Sequence, residues 1–286
     1  MRRAAHVPKF ILLPVEINEK AGKMWRYLMF CFIGLLPMAV SAAPAPRGCG
    51  DQFFQGETPD ISSERMNKAR MICFSEYALV HSGLSKTPVW SAEHLTPDRI
   101  RAAGDLPRRN PFHSEKSLPA DERAELSDYK GSGFDRGHMS PNGDMSTEEA
   151  QAESFSLANM IPQDACSNEE QWEGIESTVR GIVLGQGEVY VVTGPIYPGS
   201  ASLQQIGNGV LIPPLIYKAI YIPSMDAAGA YVAPNTPEKT FQSLSIDKLR
   251  ELSGVDAFPG LKASVKAAGM TLPPPQPPKF HCRTGG

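Results

Sequence analysis

Residues 134–145 read FDRGHMSPNGDM and place an acid, an arginine and a histidine around one glycine. The unperturbed pKa of histidine lies close to neutral pH, so His138 is suited to take a proton from water as a general base. Arg136 lies on the same side as His138 if the chain is extended here, and its planar charged group suits phosphate oxygens. The same residue types are also typical of a polar turn. Whether His138 has a catalytic function therefore depends on partners elsewhere in the chain.

The segment SNEEQWEGIESTVRGIVLGQG predicts a helix from Ser167 to about Leu184. On this helix four residues recur every fourth position and should share one stripe of its surface: Asn168, Trp172, Glu176 and Arg180. A stripe of this kind is often only a solvated face with ion pairs four residues apart, and Trp172 is expected in the core in either case.

The polar members of the stripe have a common chemistry. Asn168 offers a neutral amide oxygen, a ligand that Mg²⁺ accepts while it keeps most of its waters. Glu176, two turns further on, could hold those waters, and Arg180 adds positive charge. Together with His138 and Arg136, this set is suited to phosphodiester hydrolysis, in which a base activates water while cations neutralise the charge on phosphorus.

The surrounding sequence predicts a sheet with helices. Residues 72–95 read as two strands around a Ser/Gly/Lys turn, and further strands are predicted at 188–197, 209–222 and 230–235. A capping-box pattern at Ser146–Glu149 predicts a helix to about Ser156. A second helix is predicted over 243–254, with Ser243 or Ser245 as its N-cap and Gly254 as its C-terminal stop. Residues 273–278, PPPQPP, are typical of a polyproline strap, for which a disordered tail is the alternative.

The N-terminus has the order of charge, apolar run and small residues that is typical of a secretory signal. Lys23 and Arg26 precede an apolar stretch that ends in Val40-Ser41-Ala42, which predicts a signal peptide over 1–42 and a mature start near Ala43. The charged region before the apolar run is long for a signal, so Met24 is an alternative true start. A membrane anchor is the other alternative, although the apolar run is short for a membrane span. After cleavage no membrane association is expected.

Removal of this segment changes the charge and the cysteine count. Residues 1–42 hold six of the 28 Lys and Arg and two of the 31 Asp and Glu, so the remainder carries about −7. Such a charge disfavours a protein that coats nucleic acid through its overall charge, so a polyanion site must be a local cluster. Four cysteines remain, and in an exported protein they favour two disulfides. Three pairings are possible, of which we expect Cys49–Cys73 and Cys166–Cys282, the latter fixing a proline-rich tail over 273–286.

Four segments taken together resemble the DNA/RNA non-specific endonucleases, the Serratia-type secreted nucleases and mitochondrial endonuclease G: DYKGSGFDRGHMSP, SFSLANMIPQ, NEEQWEGIE and VYVVTGPIY. The resemblance runs from about Cys73 to Leu252. It implies an α+β fold, in which a central antiparallel sheet flanked by helices carries a ββα-metal (His-Me finger) catalytic unit, within a domain over 43–272.

The resemblance also implies roles for single residues. His138 matches the general base, Asn168 the direct ligand of Mg²⁺, and Glu176 the glutamate that holds the metal's waters. Arg136 and Arg180 match arginines that act on the phosphate. Asp135 is the first residue of the motif Asp-Arg-Gly-His, which also contains Arg136 and His138. The supporting residues are Asn159 and Gln163, with turn stabilisation as the alternative role for Asn159. A further family arginine lies upstream, where PRRNPF offers Arg108 or Arg109, of which we favour Arg108.

The sequence therefore predicts a secreted or periplasmic endonuclease that depends on Mg²⁺, with Mn²⁺ as a substitute ion, and that leaves 5′-phosphate ends on DNA and RNA. Weak base specificity is expected because phosphate contacts carry no sequence information. Two alternatives are a catalytically inactive relative that only binds nucleic acid and a phosphodiesterase for small molecules. The sequence leaves open whether DNA or RNA is preferred, whether a homodimer forms and whether an inhibitor protein binds.

Overall fold

The computed structural model describes residues 48–62, 66–199, 203–278 and 282. The predicted signal peptide, with its two alternative starts and its cleavage site, lies outside these residues. Within them, no helix combines the length and the apolar character needed to cross a membrane.

The strands of the described chain are mostly short and are rich in β-branched and aromatic residues. In chain order they are β1 (Asp60–Ile61), β2 (Ala69–Cys73), β3 (Ala78–Ser82), β4 (Thr87–Leu95), β5 (Asp135–His138), β6 (Met160–Gln163), β7 (Val189–Ile196), β8 (Gln205–Ile206), β9 (Val210–Leu211), β10 (Leu215–Ile222), β11 (Ala227–Pro234), β12 (Gln242–Leu244) and β13 (Val255–Asp256).

Seven of these strands form one central sheet in the order β12-β11-β10-β7-β4-β3-β2, and every neighbouring pair is antiparallel. The sheet confirms the predicted fold class and contains the predicted strands, except that Val210–Leu211, within the strand predicted over 209–222, pairs with β8 outside the sheet. Successive side chains point to opposite sides of a strand. In the central strands both sets of side chains are buried, because each face of the sheet is covered. One face packs under the helix Ile246–Ser253 and the C-terminal segments, and the other packs under the helix that carries Asn168.

The helices lie around this sheet. They are α1 (Pro97–Gly104), α2 (Leu126–Tyr129), α3 (Glu148–Ser154), α4 (Glu173–Gln186), α5 (Ile246–Ser253) and α6 (Ala263–Ala268), with a π-helical turn at Ser167–Trp172 directly before α4. For α5 the prediction is confirmed, since the Ser245 hydroxyl accepts a hydrogen bond from the amide of Lys248 and Gly254 ends the helix in the left-handed conformation.

The cap predicted for α3 was wrong by one residue. Thr147, not Ser146, is the N-cap, and its hydroxyl accepts a hydrogen bond from the amide of Ala150. The amide and hydroxyl of Ser146 instead donate to the carboxylate of Glu76. Ser146 therefore fixes the loop before the helix to a distant part of the chain, and the next hydroxyl residue takes the cap.

A small antiparallel pair, β5 with β6, lies outside the central sheet and is followed in the chain by the π-helical turn and α4. His138 is at the end of β5, opposite Met160 in β6, and Asn168 is in the first turn of the helix that follows. These elements form a β-β-α unit that brings His138 and Asn168 to one cleft.

Both disulfides have the expected pairing, Cys49 with Cys73 and Cys166 with Cys282. Residues 273–278 have no regular secondary structure and lie across α4, where the amide of Gln276 donates to the carbonyl of Gly174 and to the hydroxyl of Thr178. Gly174 makes this contact possible, because a Cβ there would lie 2.5 Å from the Gln276 carbonyl oxygen. The proline-rich segment is therefore a strap over the helix that follows Asn168.

Candidate active site

The strand that carries His138 is fixed by close packing on its neighbour. Gly137 is opposite Ile161 in the β5–β6 pair, and the side chain of Gln163 lies over it, so that a Cβ at Gly137 would overlap the Gln163 side chain. Both polar atoms of the Gln163 side chain are buried without a hydrogen-bond partner among the described residues. Glycine is therefore required before His138 for the space that Gln163 fills, and its backbone is extended in β5.

Asn159 holds the chain just after His138. Its side-chain oxygen accepts from the amide of Ser140 at 3.0 Å, and its nitrogen donates to the carbonyls of Ser140 and Ser154 at 2.8 and 3.0 Å. All three bonds are buried, so they fix the backbone that positions His138 more firmly than exposed bonds would.

The His138 ring lies between aromatic side chains and faces a cleft. It contacts Phe155 edge-on with a centroid distance of 5.0 Å and Phe112 at 5.9 Å. Its Nε2 has no hydrogen-bond partner within the described chain. Burial lowers the pKa of His138 to about 3, and the positive charges of Arg108 and Arg136 act in the same direction. At neutral pH the ring is therefore uncharged, with a nitrogen available to accept a proton.

Two arginines are held above the aromatic rings around His138. The guanidinium of Arg136 lies 4.1 Å from the centroid of the Phe112 ring, and that of Arg108 lies 5.9 Å from the Phe155 ring. Stacking on aromatic rings orients a guanidinium without neutralising its charge. Of the two upstream candidates, Arg108 lines the cleft and Arg109 is not among its lining residues.

Asn168 is oriented by Asp135. Its side-chain nitrogen donates to the Asp135 carboxylate at 2.9 Å, which leaves its amide oxygen as the free acceptor in the cleft. The turn that carries Asn168 begins at Asp164, whose carboxylate accepts from the amide of Ser167 at 2.9 Å and whose carbonyl accepts from the amide of Asn168 at 2.8 Å. This arrangement presents a neutral oxygen of the kind that a hydrated hard cation accepts.

The three polar residues of the predicted stripe, Asn168, Glu176 and Arg180, line the cleft. Trp172 is buried with Ile175 in the core, as expected, and does not face the cleft. Its place in the cleft is taken by Glu173. The reason is the π-helical turn, which contains one more residue per hydrogen-bonded ring than an α-helix and so rotates every side chain after Asn168 relative to it.

Glu176 and Arg180 face the cleft from α4. Burial raises the pKa of Glu176 to about 7, against the lowering effect of Lys218 and Arg180. The Arg180 guanidinium donates to the buried carboxylate of Asp144 at 3.0 Å and to the hydroxyl of Ser177 at 3.1 Å. These bonds fix Arg180 at the cleft wall.

The cleft has a volume of about 930 Å³, and its lining contains seven charged side chains: Arg108, Asp135, Arg136, Glu169, Glu173, Glu176 and Arg180. Four are acids and three are bases, so with His138 neutral the lining has a formal charge of −1 when Glu176 is ionised and 0 when it is protonated. A polyanion therefore gains no net attraction from this lining unless a cation adds positive charge. The donor set fits Mg²⁺, because one amide oxygen and nearby carboxylates can bind the ion and its waters. Within the described chain, no group of three His, Cys, Asp or Glu is arranged to hold a metal ion directly.

The structure adds residues that the sequence analysis missed. Phe112 and Phe155 form the aromatic surroundings of His138, and Asp144 fixes Arg180. Asn142 lines the cleft with a buried side-chain nitrogen that has no partner in the described part of the chain. Asn142 and Asp144 belong to the FDRGHMSPNGDM segment, where they read as turn residues. Only their positions next to the cleft distinguish them from such residues.

Comparisons with known proteins identify a matching family and similar proteins. A sequence profile of the DNA/RNA non-specific endonucleases matches residues 57–264, which is more than half of the chain. Nuclease C1 of Cunninghamella echinulata var. echinulata is 32% identical over 208 residues, which cover 66% of this chain and 82% of that protein. Mitochondrial nuclease EXOG of Homo sapiens is 32% identical over 237 residues and 72% of this chain, and the match spans 64% of its length.

A crystal structure of an EndoG/EndoGI complex has the same overall fold. The match has a TM-score of 0.58 and 27% sequence identity, and it covers 66% of this chain and 86% of the other. That complex concerns the inhibition of EndoG, which is a property of EndoG itself.

Proposed function

The chain belongs to the DNA/RNA non-specific endonuclease family, and from this premise we propose that it is an exported, Mg²⁺-dependent endonuclease that hydrolyses both DNA and RNA with little sequence preference. One observation carries the proposal. An uncharged His138 with a free Nε2 shares a cleft with the Asn168 amide oxygen and three guanidinium groups. A base and an oxyanion-stabilising set within one cleft are what attack of water on a phosphodiester requires.

In the proposed mechanism, Nε2 of His138 accepts a proton from a water molecule as its oxygen attacks phosphorus. The bond between phosphorus and the 3′-oxygen breaks, that oxygen takes up a proton, and the products are a 5′-phosphate and a 3′-hydroxyl. Arg108 and Arg136 bind the non-bridging phosphate oxygens, and Arg180 adds charge from the opposite wall. A phosphate bound beside the two arginines also raises the pKa of His138, because it offsets the positive charge that lowers this pKa.

Asn168 would hold Mg²⁺ through its amide oxygen, with Glu176 at the ion's waters. The ion would supply positive charge that stabilises the leaving 3′-oxygen. The contribution of Asp135 is to fix the amide of Asn168 so that its oxygen, rather than its nitrogen, faces the cleft.

Little sequence preference follows from the charged lining of the cleft. Arginine side chains recognise phosphate, which is the same at every nucleotide, and carry no base information. DNA and RNA should both be cut for a related reason, since none of the proposed contacts involves the 2′-hydroxyl.

Two disulfides support export, because they form and persist in oxidising compartments such as the periplasm or the extracellular medium. The relative nuclease EXOG is a mitochondrial protein, so the destination of this chain needs its own test. We expect the N-terminal sequence of the protein isolated from the periplasm or the medium to begin near Ala43. An uncleaved chain that stays inside the cell would contradict export.

The experiment that tests the catalytic function compares supercoiled plasmid, single-stranded RNA and a small chromogenic phosphodiester, each with Mg²⁺, Mn²⁺ or EDTA. We expect rapid nicking of plasmid and cleavage of RNA with either ion, slow or no hydrolysis of the small diester, and no cleavage with EDTA. His138→Ala should remove cleavage while it leaves duplex binding. Binding without cleavage by the unaltered protein would indicate an inactive relative, and faster hydrolysis of the small diester would indicate a small-molecule phosphodiesterase. Products that polynucleotide kinase labels only after phosphatase treatment would establish the 5′-phosphate ends.

A further inference from the structure

A row of polar side chains crosses the buried face of the central sheet behind the cleft. Lys218 in β10 is directly opposite Thr193 in β7, and Thr193 is directly opposite Ser91 in β4. Directly opposed residues in antiparallel strands point to the same face, so these three side chains form one row. Around them, this face of the sheet is built from Val, Ile and Leu.

Both ends of the row reach the backbone that follows His138. The Lys218 ammonium donates to the Thr193 hydroxyl at 2.8 Å and to the carbonyl of Met139 at 3.4 Å. The Ser91 hydroxyl is hydrogen-bonded to that of Ser140 at 2.7 Å. The residues immediately after His138 are thus held from the sheet side by this row.

The other arm of the site meets the same cation. The Lys218 ammonium lies 5.6 Å from the centroid of the Trp172 ring, within the range of a cation–π contact. Trp172 ends the π-helical turn that carries Asn168. One fully buried charge therefore contacts the strand that carries His138 and the turn that carries Asn168.

Burial of this charge is costly unless an opposite charge is near. Glu93 in β4 is 1% exposed and is one of the acids that face Lys218. Neither of its carboxylate oxygens has a hydrogen-bond partner in the described chain. A buried lysine with this surrounding contributes less to stability than an apolar residue of similar size would, so its presence calls for a role other than packing.

We propose that Lys218 is a positioning residue of the catalytic site, which holds the His138 strand and the Asn168 turn at a fixed separation through Met139 and Trp172. The inference rests on the proposed nuclease function. Lys218 does not line the cleft, so its loss should affect the geometry of the reacting groups rather than the binding of nucleic acid.

The test measures kcat and KM for duplex DNA with Mg²⁺, per folded molecule, in the full-length exported protein. We expect Lys218→Met to lower kcat by about 10- to 100-fold, because displacements near 1 Å have effects of this size, with KM changed less than about twofold. Val192→Ala is the matched control: Val192 is adjacent to Thr193 and equally buried, but it packs on the opposite face of the sheet. This control should lose stability without losing kcat.

A second variant separates positioning from stability. Glu93→Gln combined with Lys218→Met removes the ammonium together with the carboxyl that faces it, and kcat should still be low in the double variant. A double variant that regains the unaltered kcat would overturn the proposal, because it would show that Lys218 acts through stability alone.

If neither lysine variant folds, Thr193→Val tests the same row without changing a charge. It removes one acceptor of Lys218 and should lower kcat severalfold, whereas an unchanged kcat would contradict positioning. The proposed function is tested separately in the same assay: unaltered protein that cuts neither DNA nor RNA contradicts the nuclease proposal, and active unaltered protein with active variants contradicts only the role of Lys218.

Discussion

At the scale of single residues, the site depends on burial of groups that are usually exposed. His138 is 9% exposed, and its surroundings are aromatic rings and two guanidinium groups. Both factors disfavour the protonated ring. The histidine is thereby kept in the form that can accept a proton, and this has a consequence for stability that can be measured without any substrate.

Replacement of His138 by alanine should reduce the sensitivity of the fold to acid. The pKa of His138 is about 3 in the folded protein and about 6.5 in an unfolded chain, so between these values the unfolded state binds more protons. This histidine therefore lowers the free energy of unfolding as the pH falls from about 6.5 toward 3. Between pH 7 and pH 4.5 the free energy of unfolding, measured with urea, should fall by about 2 kcal/mol less in His138→Ala than in the unaltered protein. His113→Ala, at an exposed position, is the control, and equal losses in all three proteins would contradict a depressed pKa.

Asn168→Ala should weaken Mg²⁺ binding. The hydrogen bond from the Asn168 side-chain nitrogen to Asp135 leaves the Asn168 amide oxygen facing the cleft as a neutral ligand. Without this oxygen, Mg²⁺ would have only water-mediated contacts with the protein. We expect the Mg²⁺ concentration for half-maximal cleavage to rise more than tenfold, with a parallel loss of heat in calorimetric titration with Mg²⁺ alone. Asn208→Ala, on an exposed turn, should leave both unchanged. Normal Mg²⁺ binding by Asn168→Ala would refute the ligand assignment.

At the scale of elements, the π-helical turn and its supports decide where the acids of the helix point. The turn is fixed at its start by Asp164, at its end by Trp172 in the core, and from outside by the Cys166–Cys282 disulfide. The amide of Cys282, beyond the strap, also donates a hydrogen bond to the carboxylate of Glu170 at 2.7 Å. These contacts come from separate parts of the chain.

Loss of the Cys166–Cys282 disulfide should therefore lower activity as well as stability. The bond closes a loop with a sequence separation of 116, against 24 for Cys49–Cys73, which corresponds to about 5 and about 3 kcal/mol in the chain-entropy model. We expect Cys166→Ser/Cys282→Ser to lose kcat severalfold at temperatures where it is folded, because the Asn168 turn loosens. Cys49→Ser/Cys73→Ser should lose stability but keep kcat. Full activity of the reduced protein would show that the disulfide does not hold the turn that carries Asn168.

At the scale of the whole molecule, nucleic acid must be bound against an unfavourable overall charge. Residues 43–286 hold 22 bases and 29 acids, so under the proposed function the attraction comes from the arginines of the cleft and from the proposed Mg²⁺. A protein with a broad basic surface would instead release many counterions when it binds nucleic acid, and its affinity would depend strongly on the salt concentration.

The salt dependence of binding should accordingly be shallow. With three guanidinium contacts to phosphate, the plot of log Ka for a short duplex against log salt should have a slope between about −2 and −3. The inactive His138→Ala protein allows this measurement by fluorescence anisotropy. Arg136→Gln should reduce the slope by about one, and Arg250→Gln, on the exposed face of α5, should not. A slope of about −6 or steeper would mean that phosphate contacts extend well beyond the cleft.

By itself the sequence determined the features that depend on local pattern and residue chemistry. Runs of β-branched and aromatic residues predicted most strands of the central sheet, and Ser243 or Ser245 with Gly254 marked the ends of α5. The histidine and asparagine types predicted a base and a hard-metal ligand, which remains a prediction. Short-range rules suffice here because the physical causes, strand pleating and helix capping, act within a few residues.

Only the tertiary structure decided which side chains face the cleft. Four-residue spacing placed Trp172 beside Asn168, but a π-helical turn, stabilised by contacts with distant segments, replaced it with Glu173. Asp144 and Lys218 gave no signal in the sequence, because an aspartate in a turn and a lysine in a strand are ordinary. Their importance comes from burial against residues 36 and 79 positions away, and burial is a property of the whole fold.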